Sequence, residues 1–363
     1  MADTSFICSD HSFLSILQDG NDSPWDPDHN PYHRALITVH FIALLVFVVS
    51  STCGNLSQVD KLWSILPAFY AWMCVVDTRT TLMAWISTLW AVRLTYNFYR
   101  RGGYAYPPWE GEEDYRWEVL RSGTLGGWWR LLRNKWIMLL FNLVFISVYQ
   151  NYLLLAIAAP SFVAWSQAMR GIHCPSGEGG DESITGVPPP LNFLDGMACF
   201  LFMASVIVEA MADNQQYNFQ NKKREWKSQV NTGAGSGGFA NAIKSISFNT
   251  SLQEYEDGFC QSNLFSLVRK PAYAAEQATW ISFYLFSVAA SYAETGHYWN
   301  WLGGGFLQLC LLFQASGWLT ERISITKYPK YHLYQKKVPL YVPRISSLWQ
   351  LIIGKDIHHN KQE

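Results

Sequence analysis

The sequence predicts an all-α, polytopic helical membrane protein, and three observations carry that expectation. Only 15% of the 363 residues are charged, against roughly 25% in an average soluble domain. Aromatic residues make up 16% of the chain and include 17 tryptophans, side chains that concentrate at membrane–water interfaces. The apolar residues fall in long blocks, near 35–53, 61–76, 80–99, 136–159, 193–212, 278–294 and 299–318. A bilayer-crossing helix needs roughly 20 mostly apolar residues, so the blocks predict about seven transmembrane helices, the second short enough to be re-entrant.

A net charge of −1 gives no electrostatic reason to expect a nucleic-acid partner. The local distribution says more. Residues 100–135 carry Arg100, Arg101, Arg116, Arg121, Arg130, Arg133 and Lys135, and the stretches 222–270 and beyond 321 are also basic. Residues 160–192, read as a loop, have only Arg170 among several acids. Since cytosolic loops carry the excess of Lys and Arg, the N-terminus is expected in a lumen and the C-terminus in the cytosol. Residues 1–34 form a polar lumenal arm without the basic start and apolar core of a signal peptide, so the first span serves as its own insertion signal. The arm holds a glycosylation sequon at Asn21. Cys8 and Cys174 fall on the same predicted lumenal side, where pairing is permitted. The cysteines show no CxxC spacing and the histidines no HExxH set, so no metal site is expected. Residues 35–343 are expected to form one transmembrane helical domain, interrupted by a flexible Gly/Ser-rich cytosolic insert at 228–250 and followed by a cytosolic tail, 344–363.

Taken in order, the first span has one internal polar group, His40, whose simplest role is a hydrogen bond to a neighbouring helix. Asp60 and Lys61 stand at the mouth of the second span, where Pro67 can kink the helix. Asp60 is either a carboxylate complementing a helix N-terminus or one facing a substrate cavity. At the end of the third span Arg93, Tyr96 and Arg100 share one helical face by their spacing. They read either as snorkelling anchors or, because Arg93 lies inside the apolar run, as the lining of an anion-holding cavity. Residues 110–121 suit an amphipathic helix on the cytosolic membrane face, with Glu112 and Glu113 on its solvated side and Arg116 free to add to a basic rim. Glu209 and Asp213 share a face at the end of the fifth span and are followed by Gln215. The turn Arg269-Lys270-Pro271 runs into Tyr273 and Glu276 before the sixth span, and Gly303, Gly304 and Gly305 open the seventh to close helix contact. Tyr328, Tyr331 and Tyr334, interleaved with basic residues, read as interfacial anchors or as the rim of a cytosol-facing pocket.

Several segments together resemble a known family. EAMADNQ (209–215), LFSLVRKPAYAAEQATW (264–280) and ERISITKYPKYHLYQKKVPLYVP (321–343) are similar to steroid 5-alpha-reductase-like membrane proteins, and specifically to their DUF1295 branch, as are the VDKLWS and EDYRW stretches. The resemblance spans most of residues 55–343. It implies a seven-helix bundle in the endoplasmic reticulum that binds NADPH from the cytosol and reduces a double bond in a steroid or other lipid. It places Asp213, Arg93 and Glu276 against the dinucleotide, with Gln215, Arg269, Tyr273, Tyr328, Tyr331 and the cations Arg100 and Arg101 around it. Three departures bear on the chemistry. The motif's histidine is Lys270 and its asparagine Ala272, the family's catalytic tyrosine falls on Trp90, and its second-span glutamate has only the offset Asp60. Hydride delivery to an enone needs a donor for the developing enolate oxygen. Tyr96 or Tyr99 with Asp60 is expected to substitute. Two other functions fit the same layout: an S-adenosylmethionine-dependent lipid or isoprenylcysteine-type methyltransferase, and a non-catalytic lipid-binding protein. The extra phosphates of NADPH suit the cations 93, 100 and 101 better than the less anionic methyl donor does.

Overall fold

A computed structural model describes residues 30–173, 188–231, 252–300 and 302–347. The sequon at Asn21, the Cys8–Cys174 pairing, most of the Gly/Ser insert and most of the C-terminal tail lie outside the described residues. All secondary structure among the described residues is helical. Three helices are long and apolar enough to cross a membrane, Pro31–Cys53, Lys135–Ala158 and Phe193–Ser228, as a membrane protein requires.

The chain divides into two units, residues 1–203 with 279–310, and residues 204–278 with 311–363. In the first unit, α1 (Pro31–Cys53) starts where Asn30 Oδ1 accepts from Tyr32 N–H at 2.9 Å and Pro31 supplies a φ already suited to a helix. It stops at Gly54, whose φ of 74° only glycine adopts without strain. Ala35, Val39, Ala43, Val46 and Ser50 recur at helical spacing and form its buried stripe. Phe41, Leu44, Leu45 and Val48 stay exposed on the same helix, a distribution suited to lipid rather than water. His40 accepts or donates at 2.7 Å to Tyr152 Oη, the inter-helix hydrogen bond its sequence position suggested.

The expected second span is two short helices, α2 (Gln58–Trp63) and α3 (Leu66–Trp72), with Pro67 in the first turn of the second. Proline there cannot donate to the preceding turn, so the chain restarts instead of continuing. The third block is α4 (Thr78–Tyr99), opened by a reciprocal cap between Asp77 and Thr80. Asp114 caps α5 (Tyr115–Ser122), and a tight turn of 3₁₀ helix follows at Gly127–Arg133. The fourth block is a single run, α6 (Lys135–Phe141), a widened π-helical stretch (Asn142–Tyr149) and α7 (Gln150–Ala158). At the start of the widening, Asn142 Nδ2 donates to Ser50 Oγ at 2.9 Å and to Ser51 Oγ at 3.1 Å, joining this run to α1.

Residues 160–173, expected in a loop, form α8 (Pro160–His173) instead. Pro160 breaks the preceding helix but is well suited to begin a new one, so the proline marks a junction between helices. The remaining long helices are α9 (Phe193–Asn231), α12 (Pro271–Thr295) and α13 (Gly303–Lys327), each contributing residues to both units. Within the first unit a Cβ on Gly305 would stand 2.2 Å from Ala156 O, so only glycine lets α13 approach α7 there. Gly304 has no such neighbour.

The first unit is pinned by Arg79 and Asp195, both side chains only 1% exposed. Arg79 Nε and Nη2 reach the two carboxylate oxygens at 2.8 and 2.9 Å, and Nη2 also donates to Pro190 O at 2.9 Å. This two-pronged geometry is the one a buried guanidinium needs to replace its lost water. Three short elements of the second unit are α10 (Leu252–Asp257), α11 (Leu264–Leu267) and α14 (Tyr331–Lys337).

Candidate functional site

The residues singled out by sequence divide between the units. Asp60, Arg93, Tyr96, Tyr99, Arg100 and Arg101 belong to the first, and Asp213, Gln215, Arg269, Tyr273, Glu276, Tyr328 and Tyr331 to the second.

In the first unit, α2 clamps residues 104–114. Lys61, buried despite its charge, donates to Pro108 O at 2.9 Å, Glu110 O at 2.6 Å and Gln58 Oε1 at 3.2 Å. Tyr104 Oη donates to Lys61 O at 2.7 Å, and Leu56 N–H donates to Glu113 Oε1 at 2.7 Å. Glu113 is also ion-paired to Arg121, so it joins segments instead of lying on a solvated face. Arg116 pairs with Asp114 at 2.7 Å and is not free for a basic rim. Burial works to raise the Asp114 pKa, but the adjacent Arg116 charge and its hydrogen bonds outweigh it and hold the carboxyl below its ordinary range.

Asp60 sits in the first turn of α2, beneath Ser57 at the N-cap, and accepts from Trp117 Nε1 at 3.3 Å. Burial raises its pKa, with the Arg116 charge opposing. The expected couple of Asp60 with Tyr96 or Tyr99 is not formed: the two tyrosines are 61% and 64% exposed, and Tyr96 lies under the Arg100 guanidinium at 5.6 Å. Arg100 bonds Asn97 Oδ1 through Nε at 3.0 Å and Nη2 at 2.8 Å. Trp90, where the steroid reductases place a tyrosine, is fully buried and packs edge to face on Trp280 at 4.8 Å.

The second unit is organised by a residue absent from the sequence-based candidates, Glu321. Arg269 Nε and Nη2 reach Glu321 Oε2 at 3.0 and 2.9 Å, Tyr331 Oη donates to Oε1 at 2.5 Å, and Gln335 Nε2 donates to Oε2 at 2.6 Å. The remaining Arg269 nitrogen, Nη1, donates to Gln335 O at 3.1 Å and to Val338 O. The Arg269 and Lys270 amides donate to Pro339 O and Leu340 O at 2.9 and 3.1 Å, so the basic turn lies along residues 339–340. Tyr328 is likewise committed: Lys223 Nζ donates to its hydroxyl at 3.1 Å and to Gly258 O at 2.6 Å. Phe259 packs against Tyr328, Tyr331 and Tyr334, and Tyr334 Oη donates to Phe265 O at 2.5 Å. Burial, reinforced by Glu321, pushes the Tyr331 pKa well above its ordinary value, which keeps that hydroxyl protonated as a donor.

The three tyrosine and arginine positions expected to rim a cofactor, Arg269, Tyr328 and Tyr331, therefore hold the second unit together. A partner 52 residues away in sequence cannot be read from local spacing. The available signal was Glu321 itself, a lone acid between an apolar helix and a tyrosine-rich segment. The other candidates differ. Tyr273 packs on Phe313 at 4.8 Å, and Gln215 Oε1 accepts from Leu264 N–H at 3.3 Å. Glu209, Asp213 and Glu276 are buried carboxylates, at 4%, 7% and 4% exposure.

Fold and site define a protein that is helical throughout its described secondary structure, with three helices long and apolar enough to cross a membrane and a second unit knotted by the Arg269–Glu321 ion pair. The chain belongs to the DUF1295 family, described as a protein of unknown function, whose model matches residues 46–338. It is similar to an uncharacterized protein of Schizosaccharomyces pombe, with 32% identity over 334 residues that cover 89% of this chain and 83% of the relative. No solved structure matches the chain.

Proposed function

We propose that this protein is a membrane-embedded, NADPH-dependent reductase of a carbon–carbon double bond in a steroid or other lipid. In this reading it has about seven spans in the endoplasmic reticulum, with its C-terminus in the cytosol. The observation that carries it is the burial of Asp213 and Glu276 within the second unit. Carboxylates accept from N–H and O–H donors, and these two stand at the positions that the resemblance gives to the dinucleotide.

The chemistry of the donor set fits that cofactor in part. Asp213, Gln215 and Glu276 offer acceptors for ribose hydroxyls and a carboxamide. Arg269 and Tyr331 are bonded to Glu321, Arg269 also to backbone carbonyls, and the Tyr328 hydroxyl accepts from Lys223, so these three contribute to packing within the second unit. NADPH, when bound, supplies a hydride to the double bond.

The packing of Trp90 on Trp280 favours a second reading, a non-catalytic lipid-binding protein, because an indole N–H does not surrender a proton to an enolate. Label transfer separates the two. NADPH deuterated at both C4 positions of the nicotinamide, incubated with the purified protein and a microsomal lipid extract, is expected to pass deuterium into a lipid in which a double bond has become saturated. Deuterium remaining wholly in the nucleotide rules out the reductase and leaves the lipid-binding reading.

A further inference from the structure

Residues 127–136, GWWRLLRNKW, join the 3₁₀ turn to the first membrane-length helix beyond it, and nothing in the proposed reaction uses them. Within this decapeptide Arg130, Arg133 and Lys135 are cationic and there is no acid. All three are exposed, and none forms an ion pair with a described residue. Elsewhere in the same unit Arg79, Arg116 and Arg121 each have a carboxylate, so bare cations are not the local rule.

Three of the apolar side chains that neighbour these cations also face outward. Trp128, Leu131 and Trp136 are 64%, 57% and 68% exposed. Trp128 stacks on Trp129 at 3.8 Å, and Lys135 Nζ lies 5.2 Å from the Trp136 ring. Leu132 is the buried foot of the turn, and a Cβ on Gly123 would meet the Arg133 side chain at 2.8 Å, so the turn rests closely on the end of α5. The segment is thus a fixed platform with indoles and cations on its outside.

Indole rings favour the head-group layer, where an apolar body and a polar edge are both accommodated. Cations beside them are attracted to anionic head groups within a Debye length. Covalent continuity with the membrane-length helix Lys135–Ala158 keeps the platform at the depth where those head groups lie. From the charge complementarity and this continuity, we infer that residues 127–136 form a docking surface for anionic phospholipid head groups of the bilayer in which the protein sits. The surface selects phosphatidylserine-like over zwitterionic lipids.

The full-length protein in a neutral detergent tests this with dansyl-labelled phosphatidylserine and phosphatidylcholine in mixed micelles, following binding by fluorescence. The wild type is expected to prefer the serine lipid and to lose that preference as salt is raised. The triple variant R130A/R133A/K135A is expected to bind phosphatidylserine roughly 100-fold more weakly, from three basic residues near the surface. The lysine variant R130K/R133K retains the preference, which separates lost charge from lost fold. Equal binding of both lipids by the wild type overturns the inference, as does an undiminished preference in the triple variant. Displacement of the labelled lipid by water-soluble glycerophosphoserine at matching concentration also overturns it, since the surface would then read a free phosphate and not a membrane.

Discussion

Replacing Glu321 with alanine is expected to lower the stability of the protein by about 3–5 kcal/mol, the cost of removing one partner from a buried charge pair. Its two carboxylate oxygens accept from Arg269, Tyr331 and Gln335, and the side chain is only 8% exposed. Without it, Arg269 keeps its bonds to the Gln335 and Val338 carbonyls but loses its counter-charge, and the buried Tyr331 hydroxyl loses its acceptor. Glu321→Gln keeps an acceptor oxygen and is expected to fall between the two. The thermal midpoint of the detergent-purified variants, with limited proteolysis around residues 254–347, measures this. An alanine variant as stable as the wild type shows that the bracket is not what holds the second unit.

The second large effect is expected at Arg79. Arg79→Met leaves Asp195 buried at 1% exposure without its guanidinium, again at a cost of about 3–5 kcal/mol. Asp195 still accepts from the Asn192 amide at 2.8 Å, but a neutral donor compensates a buried charge only in part. Joining Arg79→Met to Asp195→Leu removes both charges, and the double variant is expected to recover at least half of the loss. Stability that falls by the sum of the two single losses contradicts the pairing.

What the sequence made legible was what local pattern can encode. The apolar blocks 35–53 and 80–99 anticipated α1 (Pro31–Cys53) and α4 (Thr78–Tyr99) but not the caps at Asn30 and Asp77, and the mixed-charge stretch 110–121 anticipated α5, which starts only at Tyr115 because Asp114 caps it. Gly303, Gly304 and Gly305 were recognisable as a close-approach set because glycine in an apolar helix has few other uses, and of the three it is Gly305 that meets another helix's backbone. α8 was not legible, because Pro160 marks a helix start as readily as a loop.

The candidate site was legible as a set of residues and not as a set of partners. Arg269, Tyr328 and Tyr331 carry the chemistry of an anion pocket, yet Glu321 and Lys223 claim them, and such pairings are set by packing between distant segments. Arg79 and Asp195, 116 residues apart, escaped for the same reason. Asp60 shows the converse. Its position at a helix mouth suggested a catalytic partner, and the fold gives it the Trp117 indole in place of a tyrosine.

The central claim, that this chain binds NADPH through Asp213 and Glu276, is tested most directly by titrating NADPH, NADH and S-adenosylmethionine into the detergent-purified protein while following thermal unfolding. NADPH at 100 times its dissociation constant is expected to add about 2.7 kcal/mol of stability. The gain is expected to vanish in Asp213→Asn and Glu276→Gln variants whose unliganded midpoints match the wild type. No stabilisation by NADPH, or an equal gain in those variants, contradicts the account, and stabilisation by S-adenosylmethionine alone points to the methyltransferase instead.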